Sequence, residues 1–159
     1  MKGSIGEVDL AALLELVDYL RHGRARTRVG LWCAPPEAVG KETEIAVRLG
    51  AEPLDVSSYY LDHLPPGAKF ARLSAAKVIE TLDSIASATG RCDCVLVFNL
   101  DLLLAGLTAD TRQEVWGYLF NGLPNRLRPL IIMLPGSASE LMPDEDQLGK
   151  WREEGRLIQ

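Results

Sequence analysis

Apolar residues follow two alternating patterns along this chain, a spacing of three and four residues and short unbroken runs. These mark amphipathic helices and strands covered on both faces. Leu10, Leu13, Leu14, Val17 and Leu20 fall at helical spacing over residues 9–20, with Asp9 placed as the N-cap. Residues 29–33 predict a short strand, and Ile45, Ala46 and Leu49 give the helix behind Lys41 a packing face that ends at Gly50. A second strand is expected around residues 53–56, with a Pro65-Pro66-Gly67 turn after it. Ser74 is placed to cap a helix running to about Ala88, with Leu73 and Val78 as its hydrophobic staple and Gly90 as its stop. The run at 94–98, CVLVF, predicts a strand buried on both faces. Thr108 caps the next helix, whose Val115, Trp116, Leu119, Phe120 and Leu123 make one broad apolar face ending at Pro124. Residues 129–134 form a fourth strand stopped by Pro135-Gly136. Asp144 with Gln147 opens a last helix through Trp151, Gly155 ends it, and a terminal strand follows at 156–159. Strands and helices alternate about five times. That predicts an α/β fold with a mostly parallel five-stranded sheet, right-handed crossovers and a ligand crevice at the carboxyl ends of the strands.

Composition narrows this picture without changing it. At 159 residues, 47% hydrophobic and 25% charged, the chain fits one soluble globular domain over 1–159, with an N-terminal helix and basic turn over 1–27 and a core over 28–159. A net charge of −5 argues against a surface that is nucleic-acid binding throughout. Cys33, Cys92 and Cys94 are an odd number without a CxxC pair, so they predict thiols in a reducing cytoplasm rather than disulfides or a zinc site. Glu7, Asp9, Glu15 and Asp18 interrupt the first apolar segment, which is therefore neither a signal peptide nor a membrane span.

The candidate chemistry begins at residues 28–50, where a strand, a loop, Gly40-Lys41 and a helix follow one another. That order is the one in which backbone N–H groups and a lysine surround nucleotide phosphates. Gly40, Lys41, Glu42 and Thr43 are the candidate binding residues for ATP or ADP. Pro35 stands where the pattern G-x-x-x-x-G-K-[ST] has its first glycine, and Glu42 stands where it has the hydroxyl. Pro35 and Pro36 also remove two backbone donors. After the 94–98 strand, Asn99 and Asp101 are the candidates for holding Mg²⁺ through water, Asp101 supplying the charge that Asn99 lacks; capping of the LLLAGL segment is the alternative for Asp101. Arg156 and Arg152 flank the end of the last helix, where oligomeric ATPases commonly carry an arginine that stabilises charge in a neighbouring subunit, an exposed surface arginine being the alternative, and Arg126 and Arg128 precede the fourth strand. Ser137 and Ser139 follow that strand as sensor candidates or turn residues. The cluster Arg21, Arg24, Arg26 and Arg28 is either a helix-terminal solvated turn or a contact for nucleic acid or another acidic partner.

On the GK loop, the FNLDLLLAG strand end and the LIIMLPGS strand, the chain resembles a minimal three-layer P-loop ATPase core of the AAA/STAND kind without its helical lid. Among short proteins of this build it is most similar to the BrxF family of BREX phage-defence operons. The resemblance spans nearly the whole chain in element order, and Gly40-Lys41 match, whereas Pro35, Glu42 and Asn99 depart from the pattern. It implies a cytoplasmic, prokaryotic antiviral component that works with other protein subunits, as a homo-oligomer, and binds ATP with Mg²⁺. The departures point instead to weak or partner-dependent hydrolysis, or to an adaptor module that has lost it.

Overall fold

The computed structural model describes residues 7–23, 25, 27–67, 72–124 and 128–159. Five strands, β1 (Val29–Ala34), β2 (Glu52–Asp55), β3 (Val95–Phe98), β4 (Leu130–Pro135) and β5 (Leu157–Ile158), form one open sheet in the order β2-β3-β4-β1-β5. Every pairing is parallel, with Val29 and Val95 both level with Leu130. The helices are α1 (Glu7–His22), α2 (Glu42–Leu49), α3 (Val56–Asp62), α4 (Ala75–Ser87), α5 (Leu100–Leu104), α6 (Ala109–Gly117) and α7 (Glu145–Glu153).

Because side chains alternate along a strand, the sheet feeds two separate cores. Val29, Leu31, Val95, Val97, Leu130 and Ile132 pack with Val78, Leu82, Leu104, Trp116 and Trp151 from α4 to α7. Trp32, Ala34, Leu96, Ile131 and Met133 pack on the other face with Leu13, Val17 and Leu20 of α1 and Ile45 and Leu49 of α2. The connection from β1 to β2 crosses β4 and β3 in one direction, and all later connections run the opposite way. Placing α2 on one face and α4 to α7 on the other is what a single crossover hand requires. The direction switches between β1 and β4, so a crevice lies at their carboxyl ends, where Ala34 pairs with Pro135.

Most of the punctuation acts as the sequence predicts. Ser74, Thr108 and Asp144 cap their helices by accepting from the N–H groups of Lys77, Thr111 and Gln147. Gly50 and Gly155 take the left-handed conformation, at φ 67° and 72°, that helix ends favour. Three expectations are corrected, those for Asp9, Leu14 and Gly90, and one helix, α3, goes beyond the pattern. Asp9 lies inside α1 and does not cap it, and Leu14 points out, 44% exposed, while Leu16 takes its place in the core. Gly90 does not stop α4, which ends at Ser87 with Ala88 as its C-cap. Helix α3 follows β2 without any intervening loop, begun by Asp55, whose Oδ1 accepts from Ser58 N at 3.1 Å. No helix among the described residues is long and apolar enough to cross a membrane.

Candidate functional site

The loop after β1 is built from its own prolines. Pro35 is extended and Pro36 starts a 3-10 turn, so Ala38 N bonds Pro35 O at 2.9 Å and Val39 N bonds Pro36 O at 3.2 Å. Lys41 N then bonds Ala38 O at 3.0 Å. Gly40, at φ 90° with open space where a Cβ would stand, donates its N–H to Glu42 Oε2 at 2.9 Å. Every main-chain donor from Ala38 to Lys41 is therefore engaged within the loop. The amides of Glu42, Thr43 and Glu44, in the first turn of α2, have no intrahelical acceptor. Lys41 occupies the N-cap position of α2, half-buried, without an ion pair among the described residues, and Thr43 is exposed. Glu42 is favoured at a helix start by the aligned peptide dipoles. Its carboxylate sits on the donor that an incoming anion would use.

The second candidate pair separates. Asn99 adopts φ 67°, ψ 18°, the only described residue other than glycine with positive φ, a conformation that asparagine tolerates better than most. Its Nδ2 donates to Asp55 Oδ2 at 2.9 Å. Asp101 lies in the first turn of α5, half-buried, where an acid suits the helix dipole. The carboxylate brought to Asn99 is thus Asp55 and not Asp101. Asp55 carries no motif of its own; only the β2–β3 register, which sets it level with Phe98, brings it there. No group of three or more His, Cys, Asp or Glu among the described residues could hold a metal ion by itself.

Two of the candidate arginines, Arg156 and Arg128, are buried. Arg156 is fully buried: Nε donates to Val29 O at 2.8 Å, Nη1 to Phe120 O and Glu154 Oε1, and Nη2 to Thr27 Oγ1 and Leu119 O. Its guanidinium lies 4.8 Å from the Phe120 ring centroid and 4.6 Å from that of Trp151. Two of the three carbonyls it takes, those of Leu119 and Phe120, belong to a wide π-helical turn, Tyr118–Gly122, which shifts the usual helical pairing. Arg156 therefore does not extend towards a neighbouring subunit, contrary to the expectation from its position. Arg152 is exposed and donates to Gln159 Oε1 at 2.8 Å. Arg128 is buried and paired with Glu52 at 2.6 Å. Of the basic cluster, Arg21 pairs with Asp93 at 2.7 Å and Arg28 donates to the carbonyls of Leu20 and Arg21 at the end of α1, which is the helix-terminal role. Arg24, Arg26 and Arg126 lie outside the described residues.

A cleft of about 540 Å³ at the carboxyl ends of β1 and β4 is lined by Cys33, Ser139, Met142, Glu145, Leu148 and Gln159 and by no residue of the glycine–lysine loop. Ser139 sits in the 3-10 segment Gly136–Leu141 together with Ser137, and both are exposed. Burial pushes the Cys33 thiol up, partly offset by a hydrogen bond with Gln159, and its Sγ lies 3.4 Å from Met142 Sδ. The chain matches no protein-family model, no curated protein and no solved structure.

Proposed function

We propose that this chain is a P-loop-type domain whose phosphate loop is closed by its own Glu42, so that it binds the phosphates of ATP or ADP weakly and does not hydrolyse them alone. The observation that carries this reading is the Glu42 carboxylate on the Gly40 N–H at 2.9 Å, next to a Lys41 that is free to meet an anion. The strand, loop, glycine–lysine and helix stand at the carboxyl end of β1, beside the point where the sheet changes direction. A phosphate would be held by Lys41 and by the first amides of α2 once the Glu42 side chain turns away, since both are sources of positive potential. Hydrolysis additionally needs a positioned metal and an acid, and the Asp55 carboxylate is already engaged by Asn99 and by the Ser58 amide. Together with the resemblance in its motifs, this suits a non-catalytic or partner-activated subunit of a prokaryotic antiviral assembly.

The use of every loop donor from Ala38 to Lys41 also favours a second reading, an adaptor that binds no nucleotide. Thermal unfolding with millimolar Mg-ATP or Mg-ADP separates the two, because a ligand that binds only the folded state raises its stability. The first reading predicts a small shift for the wild type, a larger one for Glu42→Ala and none for Lys41→Ala. If neither the wild type nor Glu42→Ala shifts, the adaptor reading stands.

A further inference from the structure

We propose that a cleft on the opposite, amino-terminal edge of the sheet, between the 88–94 loop and Arg128, binds a phosphate group. The cleft holds about 320 Å³ and is walled by residues 88–93, the Asp93 carboxylate included, and by Arg128. Arg128 is 4% exposed; Nη1 is held by Glu52 and Nη2 by Ile85 O at 2.9 Å, but Nε is buried without a partner. An orphan donor on a buried guanidinium is costly, so an acceptor that reached it through a shift of the 88–94 loop would be favoured. Gly90 lets the loop lie directly on this group, since a Cβ there would collide with Glu52 Oε1 and Arg128 Nη1.

Apart from the Asp93 carboxylate, the remaining wall offers donors. The main-chain N–H groups from Thr89 to Asp93 bond to no acceptor among the described residues. Thr89 and Arg91 are exposed, and Arg91 makes no ion pair among the described residues. Asp93 is turned to Arg21, and Glu52 to Arg128. The guanidinium groups of Arg21, Arg91 and Arg128 thus face two carboxylates, leaving one positive charge, that of Arg91, unbalanced. A ligand made only of acceptors and carrying negative charge suits this surface, and a phosphate's several oxygens match a guanidinium, a hydroxyl and consecutive amides together. The phosphate could belong to a small ester or to a nucleic-acid backbone. This inference does not depend on Lys41 acting as proposed above.

Amide spectra of the ¹⁵N-labelled full chain, titrated with sodium phosphate against sodium chloride at equal ionic strength, test it. Saturable movement of the amides from Thr89 to Asp93 is expected in phosphate alone, kept in Lys41→Ala, and weakened roughly tenfold in Arg91→Gln, the loss of one charge-assisted hydrogen bond. Titration with AMP and with a twelve-residue oligothymidylate then tells a small ester from a backbone, the latter showing steep salt dependence. Movement that is equal in chloride, that fails to saturate, that centres elsewhere, or that survives Arg91→Gln unchanged overturns the proposal.

Discussion

The two edges of the sheet use charge in different ways. At the amino-terminal edge, where α1, α4 and α7 end, arginines turn inward: Arg156 binds three carbonyls, Thr27 and Glu154, Arg128 braces Glu52 against the end of α4, and Arg21 joins α1 to Asp93. At the carboxyl-terminal edge, where α2, α5 and α7 begin, Lys41, Glu42, Thr43, Asp101 and Ser139 are half-buried or exposed on short loops and first helical turns. The helix dipoles account for the signs, acids at helix starts and bases at helix ends. They do not account for the difference in burial. Arg156, Arg128 and Arg21, unlike the exposed Arg91 on the same edge, close the bottom of the molecule, so altering them should cost stability. The upper edge is open, so altering it should change what binds.

The largest test of that contrast is Arg156→Leu. Leaving Thr27, Glu154 and the Leu119 and Phe120 carbonyls without their partner should cost about 3–5 kcal/mol, or a fall in Tm of roughly 10 °C, readable by urea and thermal unfolding. A loss below about 1 kcal/mol would mean that the amino-terminal edge is not held together by this residue.

A smaller effect comes from Cys94, at the start of β3, whose thiol burial pushes up to about 11. Since an unfolded thiol ionises near ~8.5, the unfolded chain releases a proton that the folded chain retains, and stability falls as pH rises from there towards 11. The Cys94 contribution to that fall is on the order of 2 kcal/mol at the top of the window and should vanish in Cys94→Ala, compared by denaturation at matched pH.

Next in size is the carboxyl-terminal edge itself. Asn99→Asp sets a second carboxylate against Asp55, 2.9 Å away from the replaced amide nitrogen, and removes a charge-assisted hydrogen bond. It should cost roughly 1–2 kcal/mol at pH 7, shrinking as the pH falls into the carboxyl range and one partner takes a proton. Equal stability of variant and wild type across that range would show that the Asp55–Asn99 contact is not maintained. Glu42→Ala and Lys41→Ala should each change stability by less than about 1 kcal/mol, because both side chains lie at the first turn of a short helix.

How far the sequence exposes all this depends on whether the signal is local. Capping by Ser74, Thr108 and Asp144, helix ending by Gly50 and Gly155, and the buried strand at residues 94–98 act through near neighbours and appear where the pattern places them, whereas Asp9 and Gly90 do not. The glycine–lysine loop is equally local, and its unusual Pro35 and Glu42 turn out to be the residues that shape and close it. The long-range partners are not visible. Asp55 meets Asn99 across 44 positions, and Arg156 meets Thr27 across 129. Position near the end of the chain suggests a reaching arginine, whereas only the fold reveals the carbonyls of a wide helical turn waiting for it. Leu14 and Leu16 show the same limit at short range, since two leucines on one helix leave the choice of face to the sheet beneath.

The most direct measurement is the Gly40 amide signal in ¹⁵N spectra during Mg-ATP titration of wild type and Glu42→Ala. If Glu42 closes the loop, the wild-type signal moves little below millimolar nucleotide, whereas in Glu42→Ala it moves and saturates at least about tenfold earlier, as expected when a competing charged hydrogen bond is removed. Tight, saturable movement in the wild type, or a Gly40 signal indifferent to nucleotide in Glu42→Ala, would contradict a phosphate loop held shut by its own carboxylate.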